Sequence, residues 1–358
     1  MIKTIEDKDY PNHLYIHIPF CKHICAYCDF VRKVPQCENE VNNYLDKIIN
    51  QLKQIDNNKK FNTIYIGGGT PNSLTNNQLI KLLSICAQHI FFDTEFTIEC
   101  NPELVNLQQV EIFKKYGINR ISLGVQTVNE HILKLFNRKH NVNDVLKAIN
   151  IFRANGINNI SLDFIYGFKL MNKNDIQNDI DFVIKNKIPH VSMYSLEIKP
   201  GSYFAKQNYE LNDELIDQQF KQIIDQLQEN KYERYEVSNW CLDSNFCSKH
   251  NLAYWHTNDW LAIGLGAYGL EKMNYYHYEG NVTNFKKVNQ QYSLKEYYQH
   301  ILIMGLRLIE GIDLSIEKNL KAYEFFKNDI NPNLIEIKNN HLKAKNINQL
   351  DDILISII

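Results

Sequence analysis

Six short apolar runs alternate with amphipathic stretches through the first part of the chain, and this alternation limits the fold more than any other feature. The runs lie at residues 13–18, 63–66, 95–99, 120–125, 159–165 and 190–196. Residues 40–55, 76–89, 107–116, 142–155 and 173–185 separate them and carry apolar side chains at helical spacing. Parallel neighbours in a sheet need a crossover connection, so strict alternation of strand and helix predicts a parallel sheet. A strand as apolar as the one in ISLDFIYG suits a sheet covered on its outer face. Six units fall short of the eight that close a barrel. The expected fold is therefore α/β, an open partial (β/α)6 TIM-like barrel over residues 1–230 that ends in a helix at 211–230. An irregular, aromatic-rich extension is expected at 231–290. A small, mainly helical C-terminal domain is expected at 291–358, where residues 296–315 are apolar at helical spacing.

The chemistry sits at the ends of these strands, where the loops of barrel-like folds build their sites. Cys21, Cys25 and Cys28 follow the first strand in HIPFCKHICAYCDF. Three thiols in one loop, with no fourth at zinc-like spacing, suit an iron–sulfur cluster better than a structural zinc, which four ligands normally close. A 4Fe-4S cluster is usually held by four thiolates. Three leave one iron open to a small molecule, the basis of radical chemistry on S-adenosylmethionine. GGGTP follows the second strand, and glycine lets a backbone approach a ligand closely. Glu99 ends the third strand, where an unpaired buried carboxylate is expensive. Asp163 lies within the fifth strand and is hard to explain as core. Arg138 has a fork that fits a carboxylate.

The cysteine spacing is similar to that of the radical S-adenosylmethionine superfamily. Further motifs follow in order: YIHIPF at 15–20, GGGTP at 67–71, ECNP at 99–102, SLGVQ at 122–126, DFIYG at 163–167, YEVSN at 235–239 and HNLAYW at 250–255. Over roughly residues 10–315 the chain resembles the branch that contains oxygen-independent coproporphyrinogen dehydrogenases and HemW-like haem chaperones. The resemblance implies that Cys21, Cys25 and Cys28 hold a 4Fe-4S cluster. It implies that Gly68, Gly69 and Thr70 hold the amino group and neighbouring parts of S-adenosylmethionine, and that Glu99 binds the ribose. Gln126, Arg138 and Asp163 match further ligand-facing positions. Tyr15 and Tyr27 flank the cluster.

Two segments choose between the branches. Phe30 stands where the dehydrogenases carry a fourth cysteine. HNLAYW matches a motif of the HemW-like group that is associated with haem, which makes His250, Asn251, Tyr254 and Trp255 the candidate haem contacts. Imidazole ligates iron, and flat rings can flank a macrocycle. The HemW-like reading implies 4Fe-4S, S-adenosylmethionine and haem as cofactors and a haem-accepting protein as partner. It leaves a homodimer open. The rival readings are a coproporphyrinogen III dehydrogenase and a radical enzyme of unknown substrate. For His250 the rivals are a hydrogen-bonded loop histidine and a partial zinc site with Cys241 and Cys247. FKLM follows DFIYG where relatives have Leu-Pro-Gly, and the tail is shorter than theirs, so substrate handling transfers least.

Composition removes other classes. The net charge is −2, without the basic field that phosphate-dominated nucleic-acid binding needs. MIKTIEDKDY has no apolar signal core. LAIGLGAYGL at 261–270 is too short and glycine-rich to span a membrane. A cytoplasmic protein without a transmembrane segment is expected. Eight cysteines there point to metal or redox chemistry rather than structural disulfides. Cys37, Cys86 and Cys100 are expected to pack or to be incidental.

Overall fold

The computed structural model describes residues 11–357, so the expected absence of a signal in MIKTIEDKDY falls outside the described residues. Strands form at all six apolar runs: β1 (His13–Ile18), β2 (Thr63–Gly68), β3 (Glu95–Cys100), β4 (Arg120–Gln126), β5 (Asn159–Tyr166) and β6 (His190–Ser195). They pair in parallel in sequence order. The crossovers contain α1 (Glu38–Leu52), α2 (Asn76–Cys86), α3 (Leu107–Lys115), α4 (Glu130–Leu135), α5 (Val142–Ala154) and α6 (Lys173–Lys185). After β6 come α7 (Tyr203–Lys206) and α8 (Asp213–Glu229). Capping boxes at Thr75, Asn141 and Asn172 fix the starts of α2, α5 and α6 by satisfying their first N–H groups.

Each strand alternates between two faces. The outer face is apolar, with Leu14, Ile16, Ile64, Ile98, Ile121 and Leu162 buried in the main core. The inner face is polar at its base, where His13, Thr63, Glu95, Arg120, Ser161 and His190 are all buried. Buried polar groups need hydrogen-bond partners, and the segment after α8 supplies several of them.

That segment is ordered, which corrects the expectation of an irregular extension. It forms β7 (Glu233–Arg234), β8 (Asn239–Cys241), α9 (Lys249–Trp255), β9 (Leu261–Ile263), β10 (Tyr268–Glu271), β11 (Asn274–Asn281) and β12 (Asn284–Gln291). β8 pairs antiparallel with β6, β7 pairs with β8, and β9 lies parallel to β1. The result is a nine-stranded sheet with two ends, β7 and β9, so the barrel is open as expected. β10, β11 and β12 form a separate antiparallel sheet, with a small core of its own around Trp260, Leu270 and Tyr276. α9 lies at the N-terminal ends of β2 and β3. Glu95 accepts the N–H groups of Lys249 and His250, both at 3.0 Å, and this fixes the start of the helix.

The C-terminal region holds α10 (Leu294–Gly305), β13 (Ile312–Asp313), α11 (Glu317–Phe326), β14 (Ile335–Lys338), β15 (His341–Ala344) and α12 (Leu350–Ile355). It has its own core around Ile301, Leu302, Leu342 and Ile353. It is mainly helical, as expected, with a small sheet in the order β13-β15-β14 in addition. Among the described residues no helix is long and apolar enough to cross a membrane.

Candidate cluster and cofactor cleft

A cleft of 440 Å³ opens at the C-terminal ends of the strands. Cys21, Cys25, Cys28, Tyr27, Gly68, Gly69, Thr70, Glu99, Gln126, Arg138 and Asp163 all line it. Five different βα units are thereby brought to one place. A larger polar hollow of 570 Å³, lined by His13, Asp259, Lys272 and Lys318, lies at the opposite end of the sheet and contains none of them.

The cysteine loop is pinned at its base. Cys21 N–H donates to Lys33 O at 3.0 Å, and Lys33 N–H to Pro19 O at 2.7 Å. The middle is held from α4, since Ala26 N–H donates to Phe136 O and Asn137 Nδ2 to Ile24 O. The glycine run is required by close packing. A Cβ on Gly69 would stand 3.0 Å from Cys21 Sγ, and one on Gly68, at φ +114, would stand 2.6 Å from the His17 ring. The N–H groups of Gly68, Gly69 and Thr70 are all used within the protein, by Glu99, Ile18 O and Phe20 O. An ammonium ligand donates, so it would have to use the carbonyls of this loop.

The three thiols are not equivalent. Burial pushes Cys21 up and Cys28 up to about 11. Burial also opposes ionisation of Cys25, but donors on His23 and Arg138 outweigh it and bring the thiol down to about 7. Arg138 Nη1 lies 3.6 Å from Cys25 Sγ, and its Nη2 donates to Asn101 Oδ1 and Gly124 O. No three His, Cys, Asp or Glu side chains among the described residues converge on a point fit for a single metal ion. The three thiols all line the one cleft.

The neighbouring side chains fit a polar ligand. Burial pushes Glu99 up to about 7, although Gly68 N–H and Tyr65 O–H donate to it at 2.8 and 2.9 Å. Burial also raises Asp163, whose oxygens accept from Ser122 and Ser161. β4 shifts register against β5 between Gly124 and Gln126. Gln126 is left at φ 62. Such a bulge re-aims a side chain, and a glutamine in this region costs about 1–3 kcal/mol, which the surrounding structure must offset. The re-aimed Gln126 is buried with Oε1 unpartnered, and so is Nε of Arg138. Both side chains line the cleft, so one unmet acceptor and one unmet donor belong to its wall.

Not every expected residue is there. Tyr15 does not line the cleft; its hydroxyl meets His17 Nδ1 at 2.9 Å, behind the wall. HNLAYW, the expected haem-contact motif, forms α9 and packs against the opposite end of the barrel, at the starts of β2 and β3. His250 is 1% exposed. Its Nδ1 meets Thr63 Oγ1 at 2.6 Å and its Nε2 meets Tyr254 Oη at 2.7 Å, so neither ring nitrogen is free in this conformation. For the same reason His250 does not join Cys241 and Cys247 as a zinc ligand. Asn251 and Trp255 are half-buried on the same helix, and the Arg307 guanidinium lies 5.6 Å from the Trp255 ring centre. Motif reading passed over Tyr65, Asn101 and Ser122, which line the cleft and position Glu99, Arg138 and Asp163. Asn101 and Ser122 lie inside quoted motifs; Tyr65 is visible only as an inward position on β2. Cys100, expected to pack or to be incidental, packs in the main core and also contributes to the cleft wall, and burial raises its thiol well above the usual range.

The radical SAM superfamily model matches residues 15–183. The chain is 34% identical over 318 residues to the heme chaperone HemW of Lactococcus lactis subsp. lactis, covering 84% of this chain and 83% of that one. The chain belongs to the HemW family of radical SAM proteins. It is also 31% identical to the HemW of Haemophilus influenzae over 328 residues, and 30% identical to that of Escherichia coli K12 over 327; each match covers 89% of this chain and 82% of the relative. Its fold is similar to that of coproporphyrinogen III oxidase (HemN) from Escherichia coli, with a TM-score of 0.79 at 18% identity over 97% of this chain and 90% of that one. The HemW relatives and this HemN-like radical SAM fold bear out the expected family and fold class.

Proposed function

We propose that this chain is a cytoplasmic haem chaperone that holds a 4Fe-4S cluster on Cys21, Cys25 and Cys28, binds S-adenosylmethionine beside it, and passes haem to an acceptor protein. What supports the cluster and cofactor is one juxtaposition: three thiols share a cleft with an unmet donor on Arg138 and an unmet acceptor on Gln126. The group would supply an open iron and a reducing electron to S-adenosylmethionine. The chain's own residues bind and orient. Arg138 offers its fork to a carboxylate and its charge to Cys25. Glu99, once ionised, accepts from ribose hydroxyls, and Asp163 offers a second carboxylate. Tyr27 and Tyr65 wall the cleft against water.

The haem half of the proposal is supported by the relatives, which are heme chaperones, and by Phe30. This side chain lines the cleft mouth, is 61% exposed, and has no atom that can ligate iron. Contact between haem iron and His250 requires the imidazole to give up either its bond to Thr63 on β2 or its bond to Tyr254 within α9, so we read α9 as the closed form of that segment.

Anaerobic reconstitution followed by separate assays tests the proposal. A cluster, S-adenosylmethionine binding and haem binding, without conversion of coproporphyrinogen III, is the expected result. Robust conversion with no haem binding would replace the chaperone with a dehydrogenase. Cleavage of S-adenosylmethionine with neither activity would point to a radical enzyme on another substrate.

A further inference from the structure

Cys241 and Cys247 lie outside the cleft, and nothing above uses them. Cys241 ends β8, and Cys247 stands two residues before α9. Asp243 folds the residues between them into a single turn, Ser244–Phe246, by accepting the Asn245 N–H at 2.8 Å. That turn brings the two sulfur atoms to 2.9 Å. Cys241 is 2% exposed and Cys247 9%, so a small oxidant meets Cys247 first. Cys247 is also held below the usual thiol range, because Cys241 donates to it and Arg120 adds its charge.

The pair joins a fixed element to the plug. β8 is bound to the main sheet through the pairing of Cys241 with His190. Immediately after Cys247, Ser248 caps α9 through its hydroxyl. A bond from Cys241 to Cys247 therefore ties the first turn of α9 to the sheet.

We propose that Cys241 and Cys247 form a redox modification site whose disulfide latches α9 into the end of the barrel and whose dithiol form lets the helix leave. The oxidant is a hydroperoxide. Cys247 thiolate attacks the O–O bond, hydroxide leaves and is protonated to water, and a sulfenic acid forms. Cys241 sulfur then attacks that sulfur, the S–O bond breaks, and a second water leaves. Two thiols and one hydrogen peroxide give one disulfide and two waters. In a reducing compartment the dithiol prevails, and the latch closes only under oxidative load. Its effect on haem rests on the chaperone reading above: a latched α9 keeps His250 inside the barrel.

Trypsin releases residues 235–249 as one peptide that holds both cysteines, separate from those of Cys21, Cys25 and Cys28. The full-length protein, treated with hydrogen peroxide and then with an alkylating agent, should yield this peptide unlabelled and lighter by two hydrogens. Dithiothreitol should restore labelling. Amide exchange of residues 249–255 should be about tenfold slower in the oxidised protein. Cys247→Ser and Cys241→Ser should each abolish the difference. Full labelling of the peptide at a peroxide dose that oxidises the exposed Cys37 would overturn the site, and equal α9 exchange in the two forms would overturn the latch. Haem titration of both forms should show weaker uptake when oxidised. Equal uptake, with α9 slowed, would overturn the role of α9 in haem binding and leave the latch standing.

Discussion

Glu99 holds its proton unusually long because it is buried, and its carboxyl titrates near 7 rather than near the ordinary 4.5. Its folded value exceeds its unfolded one, so its contribution to stability is complete below about 4.5 and is lost as pH rises through about 7. Ligand binding runs the other way. Ribose hydroxyls donate to a carboxylate and favour the ionised form. S-adenosylmethionine affinity should therefore rise between about pH 6 and pH 8, with proton release on binding near neutrality. Calorimetry in two buffers of different ionisation enthalpy measures that release. Glu99→Gln should flatten the profile and cost about 1.5–3 kcal/mol of binding. An unchanged affinity and profile would remove Glu99 from the site. The thiols give a second prediction. Cys21→Ala, Cys25→Ala or Cys28→Ala should each abolish the iron content and visible absorbance of the reconstituted protein, while Cys37→Ala and Cys86→Ala should not. Recovery of zinc alone at full occupancy, from protein prepared without air, would refute the cluster.

Among the elements, α9 links sequence and packing most directly. His250 bridges Thr63 and Tyr254 inside the barrel, and its ring stacks on Tyr65 at 5.0 Å. His250→Ala leaves both hydroxyls without this partner and should cost about 1–3 kcal/mol of stability. Tyr254→Phe removes one hydroxyl and should cost about 1 kcal/mol. Denaturant titration compares them, and a His250→Ala protein as stable as the parent would show that α9 is not a seated plug. The first six strands and most helices were legible because two signals agree there, apolar periodicity and capping residues such as Thr75 and Asn172. β7, β8 and β9 were not legible. They span only two or three residues and become strands by pairing with the edges of an existing sheet, which no local propensity reports. Tyr275, Tyr276 and Tyr278 read as an irregular aromatic patch because β11 carries aromatics on both of its faces.

At the scale of the whole molecule, the two candidate segments, the cleft and α9, lie at opposite ends of one barrel. The cleft was largely legible because its residues fall in motifs at strand ends. The position of HNLAYW was not, since only the fold brings residue 250 against residues 63 and 95. Nor was the role of Tyr65, an inward aromatic with no motif around it. Its ring lies between the two ends, stacked on His250 while its hydroxyl donates to Glu99. Among the described residues no hydrogen bond joins Cys21, Cys25 or Cys28 to α9; Cys21 meets Thr70, and Cys25 meets Arg138. The losses of cluster and haem should therefore be separable. Cys25→Ala, prepared without air, should lack the cluster and still take up haem with near-parental affinity. His250→Ala should keep its iron and lose haem affinity by more than its stability loss explains. Absorbance titration with haem and iron analysis on the same samples provide both measurements. Loss of haem binding in Cys25→Ala, with the fold intact by circular dichroism, would place haem at the cleft and not at α9. In that case the exposed Phe30 at the cleft mouth becomes the side chain to substitute next, because a flat macrocycle entering there would pack on its ring.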